Sequence, residues 1–484
     1  MADARGNFFF LKAGGSQMTG DELAIGDAIA CQERESGQFG VLHIEPDQIW
    51  VEFVGFGKCP SINADEPIYL HTAKGWVVSL FDNIDVSSAL PSWRRSDAGT
   101  VHSQRVISNL VLSGEPPWLP GDRALSVSFQ LTPDCDFLWA PDLARKIAEV
   151  SLDNEPAPDR TILTAPVVGG CVSLAFAWGH DPVRNKYSPE DPRFTVRFDD
   201  GAEPGECLDR IWYLRALFAL LSWRDLRSEG ILIRRIGAEE NSYSYRVLTA
   251  ESKASNPMAR AVRPIAVSVD DEDERAALRA VLQVWLDRQN QWEGATGMMC
   301  AALRRFHHVS AEQALDACRW HEAISKVVER PVRPAGMDEV VGAAIAEARK
   351  FKLDDHVGWI TGRLSGIKGE PQQQFFTRRG RELNERLGHE LFDDAGVAML
   401  KGTYRVRNAS AHGSNGTLSN HTKIRAHWGN VLAMEAFCAA RTMADLPLSE
   451  RGRHRLRMHP LFKAYLELRK ERAAASASSG SRPK

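Results

Sequence analysis

The sequence predicts an α+β protein of several domains, in which a β-rich, sandwich-like N-terminal half precedes an all-α helical bundle. Three observations predict it. The chain has 484 residues, more than one hydrophobic core usually organises. Apolar residues recur every second position in the first half and every third or fourth position in the second. Between the two patterns lies a segment that mixes proline, serine and opposite charges, residues 251–275.

The composition is that of a globular protein, with 43% hydrophobic residues, 25% charged residues and a formal net charge of −3. It excludes collagen-like, coiled-coil and wholly disordered chains. The most apolar stretch, residues 206–226, contains six charged residues, and its longest uncharged run is too short to span a bilayer. With no signal peptide visible at the N-terminus, we expect a cytoplasmic protein without membrane segments. The eight cysteines lack metal-site spacing, so we expect reduced thiols, no metal and no cofactor.

Residues 1–255 read as a β-rich region. Residues 39–55 and 67–83 each contain two β-branched and aromatic runs around a turn, and residues 123–131 alternate apolar and polar side chains. Such spacing predicts a sandwich or a partly closed sheet, interrupted by one helix at 206–226. A break into two subdomains near 135–160 is one reading of this region. Further strand-like runs follow at 162–168, 171–178, 193–198, 231–236 and 243–248.

Residues 275–472 read as a helical domain joined to the β-rich region by a linker at 256–274. Six segments between 274 and 446 carry the apolar spacing of amphipathic helices, which indicates a bundle. The basic stretch RGRHRLRMH, residues 451–459, is predicted to be a loop before the last helix and a candidate contact for nucleic acid. The low-complexity tail, residues 473–484, is predicted to be disordered.

Charge is distributed unevenly along the chain. Residues 401–484 carry 16 Lys and Arg against 5 Asp and Glu, a formal charge of +11, while the first 400 residues carry −14. A basic C-terminal region on an acidic remainder predicts a polyanionic partner for that region. Basic tails also occur for solubility alone, so this pattern by itself does not identify the partner.

The stretch TYRVRNASAHGS, residues 403–414, concentrates groups that could handle a phosphate. Asp393 and Asp394 fit the N-cap and first turn of a helix, and Gly413 fits its C′ position. His412 would then meet helix C-terminal carbonyls, which favour a charged imidazolium. Arg407 precedes His412 by about 500° of helical rotation, so the two side chains do not share one face. Joint action on one phosphate therefore favours a dimeric site. A basic helix end without chemistry is the alternative, because the helix dipole alone favours Arg and His there.

The run Arg407-Asn408-Ala-Ser-Ala-His412, set between two long helices, resembles the R-x4-6-H motif of HEPN domains. The N-terminal segments 41–55, 102–118 and 123–131 resemble the β-rich region of ApeA-type anti-phage proteins, which pair it with a C-terminal HEPN domain. The resemblance covers about residues 7–470, although the middle, about 140–270, has no clear counterpart.

This resemblance implies a metal-independent endoribonuclease that cuts RNA by attack of a 2′-hydroxyl on its own phosphate, usually as a homodimer. His412 would be the general acid or base, Arg407 the cation that stabilises the phosphate, and Asn408 the orienting residue. Transfer RNA is a candidate substrate, and the first 255 residues would sense an infection trigger. Arg405 also fits the spacing, as R-x6-H, but the polar residue that the motif favours after its arginine follows only Arg407.

Side chains around the motif are candidates for binding RNA. They are Arg405 on the same helix, and His421, Arg425 and His427 on the next one, although a solvated polar face is the more common explanation for the latter three. Two other functions stay open. One is a non-catalytic HEPN module that binds RNA or protein. The other is a β-sandwich ligand-binding protein with a helical dimerisation domain, in which the motif only ends a helix.

Overall fold

The computed structural model describes most of the chain. The described residues are 26–45, 48–56, 63–86, 94–96, 99–133, 135–151, 159–181, 183, 185–236, 242–248, 265–305, 310–328, 336–365, 372–411 and 421–479.

The described β-strands all precede residue 249, as the alternating pattern predicts. They are β1 (Ala28–Glu33), β2 (Phe39–Ile44), β3 (Ile49–Phe56), β4 (Ile68–Thr72), β5 (Val77–Asp85), β6 (Arg94–Ser96), β7 (Gly99–Ser113), β8 (Ala124–Thr132), β9 (Thr161–Val167), β10 (Gly170–Asp181), β11 (Lys186–Ala202), β12 (Arg227–Ile236) and β13 (Ser242–Leu248).

The described helices lie mainly after residue 271, so the prediction of a β-rich region followed by a helical region is confirmed. They are α1 (Pro141–Glu149), α2 (Pro204–Ser222), α3 (Glu272–Asp287), α4 (Gln289–Arg304), α5 (Ala311–Val328), α6 (Met337–Lys350), α7 (Asp354–Ser365), α8 (Gln372–Leu387), α9 (Asp394–Ala411), α10 (His421–Met443), α11 (Glu450–Arg455) and α12 (Pro460–Ser479). None of the helices in the described part of the chain is long and apolar enough to cross a membrane.

The chain forms two compact units that alternate along the sequence. The first unit comprises residues 1–122 and 243–255, and the second comprises residues 123–242 and 256–484. The second half of the β-rich region therefore belongs with the helices. The domain limits predicted from the change of pattern stay a prediction, since residues 249–264 lie outside the described part of the chain.

In the first unit, six strands close into a barrel in the order β3-β2-β1-β4-β5-β7, with β3 pairing back to β7. The β3–β7 pairing runs antiparallel from Ile49↔Ser108 to Phe56↔Val101, and β13 and β6 also pair with β7. Alternate residues point inward and form the core, among them Leu42, Val51 and Phe53. The sequence left a sandwich or a partly closed sheet open. For these strands the structure has a closed barrel, in which the pairing of β3 with β7 leaves neither strand as a free sheet edge.

In the second unit, helix α2 joins the sheet to the bundle. The antiparallel sheet has the order β12-β8-β11-β10-β9. The Phe218 ring of α2 lies 5.3 Å from Phe194 of β11, and the Tyr213 ring of α2 stacks on Trp285 of α3 at 4.9 Å. Trp285 Nε1 also donates a 2.8 Å hydrogen bond to the carbonyl of Tyr213. From Ile211 to Ser222 every residue of α2 is buried or half-buried. This part of the helix is therefore covered on all sides, which explains why residues 123–242 pack with the helices.

The structure describes parts of the predicted linker and of the predicted tail. Residues 265–269, expected to be linker, are buried. Helix α12 extends to Ser479, so the described part of the predicted disordered tail is helical.

The prediction of a loop at residues 451–459 is wrong. Its residues form α11 followed by a 3-10 turn, Leu456–Met458. Arg451 pairs with Asp271 at 2.6 Å, and Arg455 pairs with Glu274 at 2.7 Å. Asp271 caps α3 and Glu274 lies in its first turn. Ion pairs with α3 therefore contact the segment whose basic residues predicted a loop.

Helices α5, α9 and α10 pack against one another in the second unit. Helix α10 is buried almost completely from Val431 to Met443, which makes it the central helix of this group. A central helix must bury any polar residue on its inner turns, and α10 accordingly buries Glu435 and Arg441. The described part of the predicted motif, residues 407–411, forms the end of α9.

Candidate functional site

Helix α9, which carries the predicted motif, begins as the sequence predicts. Asp393 precedes the first helical residue, and its Oδ1 accepts a 2.8 Å hydrogen bond from the backbone N–H of Gly396. Such a cap satisfies one of the N–H groups that a helix start leaves without a partner. The predicted N-cap is confirmed.

A close contact sets the register of α9 against α10 one turn before the arginines. Thr403 is fully buried, and its Oγ1 donates a 2.6 Å hydrogen bond to the carbonyl of Asn430. A Cβ on Gly402 would lie 2.5 Å from Nδ2 of Asn430, so any other residue at this position would require the Asn430 side chain to shift. Arg472 donates a 2.8 Å hydrogen bond to Asn430 Oδ1 and restrains this amide.

Two side-chain contacts join α5 to α9 at the level of the motif. The hydroxyl of Tyr404 and Nδ1 of His321 share a hydrogen bond of 3.2 Å. One turn further along α9, Arg407 Nη2 donates to Glu322 Oε1 at 2.9 Å. Because His321 and Glu322 are neighbours on α5, the two contacts together restrict the rotation of α9 against α5.

His321 lies in an aromatic cluster beside this site. Its side chain lies among Phe375, Phe376 and Phe437, with ring centroids 5.7, 5.6 and 5.9 Å away. Burial, helped by the positive charge of Arg441, lowers the pKa of His321 to about 3. The imidazole is therefore neutral at physiological pH and does not serve as a cationic acid.

The guanidinium of Arg407 is held at the protein surface. Besides the ion pair with Glu322, Nη1 donates to Asn408 Oδ1 at 3.4 Å. The side chain of Arg407 is 35% exposed and that of Glu322 is 43% exposed. Five N–H donors are available on a guanidinium, and these two contacts use two of them. The remaining N–H groups of Arg407 can donate hydrogen bonds to an anion.

Arg405 occupies a different side of the same helix. It is exposed and lies about 200° of helical rotation from Arg407. Of these two arginines, Arg407 is the one that contacts α5. The two candidates for the phosphate-binding cation therefore differ: the ion pair with Glu322 orients Arg407, whereas Arg405 is exposed to solvent.

Several predicted site residues lie at or beyond the ends of the described ranges. The structure describes α9 as far as Ala411, so His412 and Gly413 lie outside the described residues. His421 is the first residue of α10, but its side chain lies outside the described part as well. The predicted contact of Asn408 with His412 therefore stays a prediction.

The structure separates the remaining candidates on α10. Arg425 is exposed and forms a bidentate ion pair with Glu471 of α12, at 2.9 Å from Nε and 2.7 Å from Nη2. RNA binding by Arg425 stays a prediction, and RNA would have to displace this carboxylate. His427, in contrast, is 4% exposed, and its Nε2 lies 2.8 Å from the Ser310 carbonyl. The expectation that His427 lines a groove is wrong, because its ring is part of the core.

Sequence reasoning missed the α5 residues of this site, His321 and Glu322. Glu322 is 85 positions from Arg407 in the chain, and its segment shows only the periodicity of an amphipathic helix. No local signal distinguishes it from other glutamates on helix surfaces. Within the described ranges, no group of three or more His, Cys, Asp and Glu side chains is arranged to hold a metal ion.

Comparison of the chain with protein-family models, with curated proteins and with solved structures gave no match.

Proposed function

We propose that this chain is a metal-independent HEPN endoribonuclease that acts in the cytoplasm in defence against phage. The observation that carries the proposal is the partly exposed Arg407 guanidinium, directed by α5 at the end of α9. His412 follows within one residue of the described end of this helix. A cation oriented by an ion pair and an imidazole five positions after it in the chain suit chemistry on a phosphodiester.

In this proposal the RNA supplies its own nucleophile. An imidazole accepts the proton of the 2′-hydroxyl as its oxygen bonds to the adjacent phosphorus, and a protonated acid donates a proton to the departing 5′-oxygen. The products are a 2′,3′-cyclic phosphate and a free 5′-hydroxyl. Arg407 stabilises the charge that develops on the phosphate oxygens, and Asn408 orients the phosphate or His412. Two copies of His412 in a homodimer would supply both the base and the acid.

The surroundings of the motif support an RNA substrate. The last 84 residues carry a formal charge of +11, which favours a polyanion. We assign Arg405, His421 and Arg425 to the RNA-binding surface, and transfer RNA is a candidate substrate. The β-rich region would respond to a phage-derived trigger and restrain cleavage until infection.

The test is cleavage of total RNA by the purified chain in EDTA, with and without phage lysate, followed by mapping of the RNA ends. We expect 2′,3′-cyclic ends from the wild type. Removal of the general acid or base in His412→Ala should lower the rate by about 10²–10⁴-fold. Arg407→Ala should lower it by about 10²–10³-fold, because one charge-stabilising donor group is lost. Arg405→Ala should weaken RNA binding with a smaller effect on the maximal rate.

Arg319→Ala is the matched control, since Arg319 is another exposed arginine, paired with Asp316 on α5. It should cut like the wild type. Intact RNA in every condition, or equal cutting by His412→Ala, would contradict the nuclease assignment. Loss of all cutting in EDTA would contradict the metal-independent mechanism.

A second candidate function is a non-catalytic module that binds RNA or protein. The ion pair between Arg407 and Glu322 favours it, because one carboxylate already neutralises the cation. In that case the chain would retain RNA in a binding assay without cutting it, and binding would survive His412→Ala.

A further inference from the structure

The contact between Glu322 and Arg407 suggests a role for Glu322 in the proposed reaction. Glu322 Oε1 lies 2.9 Å from Arg407 Nη2, while Arg407 Nη1 contacts Asn408. We propose that Glu322 is a positioning residue, which holds the guanidinium on the α5 side of α9 and leaves its other donors for the scissile phosphate. This inference rests on the proposed ribonuclease function.

Arg407 needs such a restraint because it is long and partly exposed. An arginine side chain loses about 2 kcal/mol of rotamer entropy when it is fixed in one geometry. Transition-state stabilisation also depends steeply on placement, and an error of about 1 Å can lower a rate by about 10²-fold. A carboxylate that orders the guanidinium before RNA binds removes part of this cost from the reaction.

Glu322 is itself well placed to act as the fixed partner. Its neighbour His321 is 7% exposed, is enclosed by aromatic rings and contacts Tyr404. The backbone of α5 at this point is therefore anchored to α9. The neutral imidazole of His321 does not compete with Arg407 for the carboxylate, since burial lowers its pKa and keeps it uncharged.

The alternative role for Glu322 is to mask Arg407 and keep the enzyme off. Magnitudes decide against it. An exposed ion pair contributes about 1 kcal/mol or less, and about 1.4 kcal/mol is needed for each tenfold change in an equilibrium. The pair would repress RNA binding by less than about tenfold, and a phosphate that engages the free donors in two hydrogen bonds competes well. The Glu322–Arg407 ion pair is too weak to keep RNA out, but it is strong enough to bias the orientation of the guanidinium.

The test compares Glu322→Gln, Glu322→Ala and Glu322→Asp in the full chain, with kcat and KM measured on a defined RNA in EDTA. We expect Glu322→Ala to lower kcat by up to about fivefold, which is what the loss of a partly exposed ion pair allows, with KM unchanged or lower because a competing anion is gone. Glu322→Asp, which keeps the carboxylate, should retain part of the lost rate. A rise in kcat/KM in Glu322→Ala would show masking and overturn the proposal.

A double-mutant cycle distinguishes positioning from a purely structural effect. If Glu322 acts through Arg407, Glu322→Ala should have no further effect on kcat in an Arg407→Ala background. An equal loss in both backgrounds would overturn the proposal. Glu382→Gln is the control, because Glu382 is also a partly exposed glutamate paired with arginines, on α8. Thermal midpoints should change little in all of these variants.

Failure of the inference and failure of the proposed function give different results. If the wild type cuts RNA and His412→Ala does not, while the Glu322 variants match Glu382→Gln, only the positioning role is wrong. If the wild type cuts no RNA under any condition, the ribonuclease proposal is wrong and the role of Glu322 fails with it.

Discussion

At the scale of single residues, the second unit contains a buried acid in the middle of α10. Glu435 is 2% exposed, and its Oε2 has no hydrogen-bond partner among the described residues. Burial, with a smaller contribution from the negative charge of Asp316, raises the pKa of Glu435 to about 8. The carboxyl group is thus largely protonated at neutral pH, because ionisation in an apolar interior is costly.

We predict that Glu435→Gln stabilises the chain as pH rises from 5 to 8. In the unfolded chain Glu435 ionises near the ordinary glutamate pKa of 4.5, whereas in the fold its pKa is about 8. The stability that this shift gives the fold is therefore complete below pH 4.5 and is lost as the pH rises toward 8. The loss is on the order of a few kcal/mol in total. The amide has no such penalty. Urea unfolding of both proteins at several pH values checks this.

Glu382→Gln is the control of opposite sign. Arginine partners lower the pKa of Glu382 against a desolvation effect that raises it, so its carboxylate stabilises the fold above its unfolded pKa. We expect this variant to be slightly less stable than the wild type at neutral pH. If the two variants respond alike to pH, the buried acid of α10 does not titrate as described.

At the scale of elements, the packing of α9 on α10 decides where the motif lies. The contact depends on Gly402, and Asn430 opposite it cannot move freely because Arg472 holds its amide. The spacing of apolar residues identified both helices correctly. It did not show which turn of α9 meets which turn of α10, because that register depends on residues far apart in the chain.

We predict that Gly402→Ala destabilises the chain by about 1–3 kcal/mol, because the added methyl group overpacks the contact. In the proposed enzyme it should also lower RNA cleavage by moving the end of α9. Gly294→Ala is the matched control, since Gly294 is exposed in the interior of α4 and a Cβ there meets nothing within 4 Å. That variant should be neutral or more stable by up to about 1 kcal/mol. Thermal and urea unfolding measure both, and equal effects would contradict the close approach.

At the scale of the whole molecule, two buried histidines make the fold sensitive to acid. His321 lies among aromatic rings, and His459 lies before α12 with Nε2 2.8 Å from the carbonyl of Leu220. Burial lowers the pKa of His321 to about 3 and that of His459 to about 4. Both residues belong to the second unit, so acid destabilises the unit that contains the candidate site.

We predict that stability falls as pH drops below about 6.5, the ordinary pKa of histidine. Above this value both histidines are neutral in the folded and the unfolded chain, whereas below it they take up protons only in the unfolded chain until the pH reaches their folded values. Each should contribute a slope of about 1.4 kcal/mol per pH unit. His321→Phe should make the slope shallower, and the exposed His356→Gln should leave it unchanged. Urea unfolding from about pH 7 to 5 measures the slopes, and equal slopes in all three proteins would contradict this account.

Much of the fold could be predicted from local patterns. The helix at 206–226, the paired strand runs of 39–55 and 67–83, and the N-cap Asp393 all appear as expected. The segment at 451–459 could not, since its helical turn is held by Asp271 and Glu274. Of the candidate site, the arginine motif was recognisable, but its environment on α5 was not.

The sequence by itself determined the order of strands and helices, the position of Arg407 near the end of a long helix, and the basic charge of the C-terminal region. These properties depend on residues within a few turns of one another. Only the tertiary structure decided that six strands close into a barrel, that residues 123–242 pack with the helices, and that Glu322 faces Arg407. The last contact joins residues 85 positions apart, and packing between helices creates it. Periodicity shows which face of a helix is buried, but it does not show which helix covers that face.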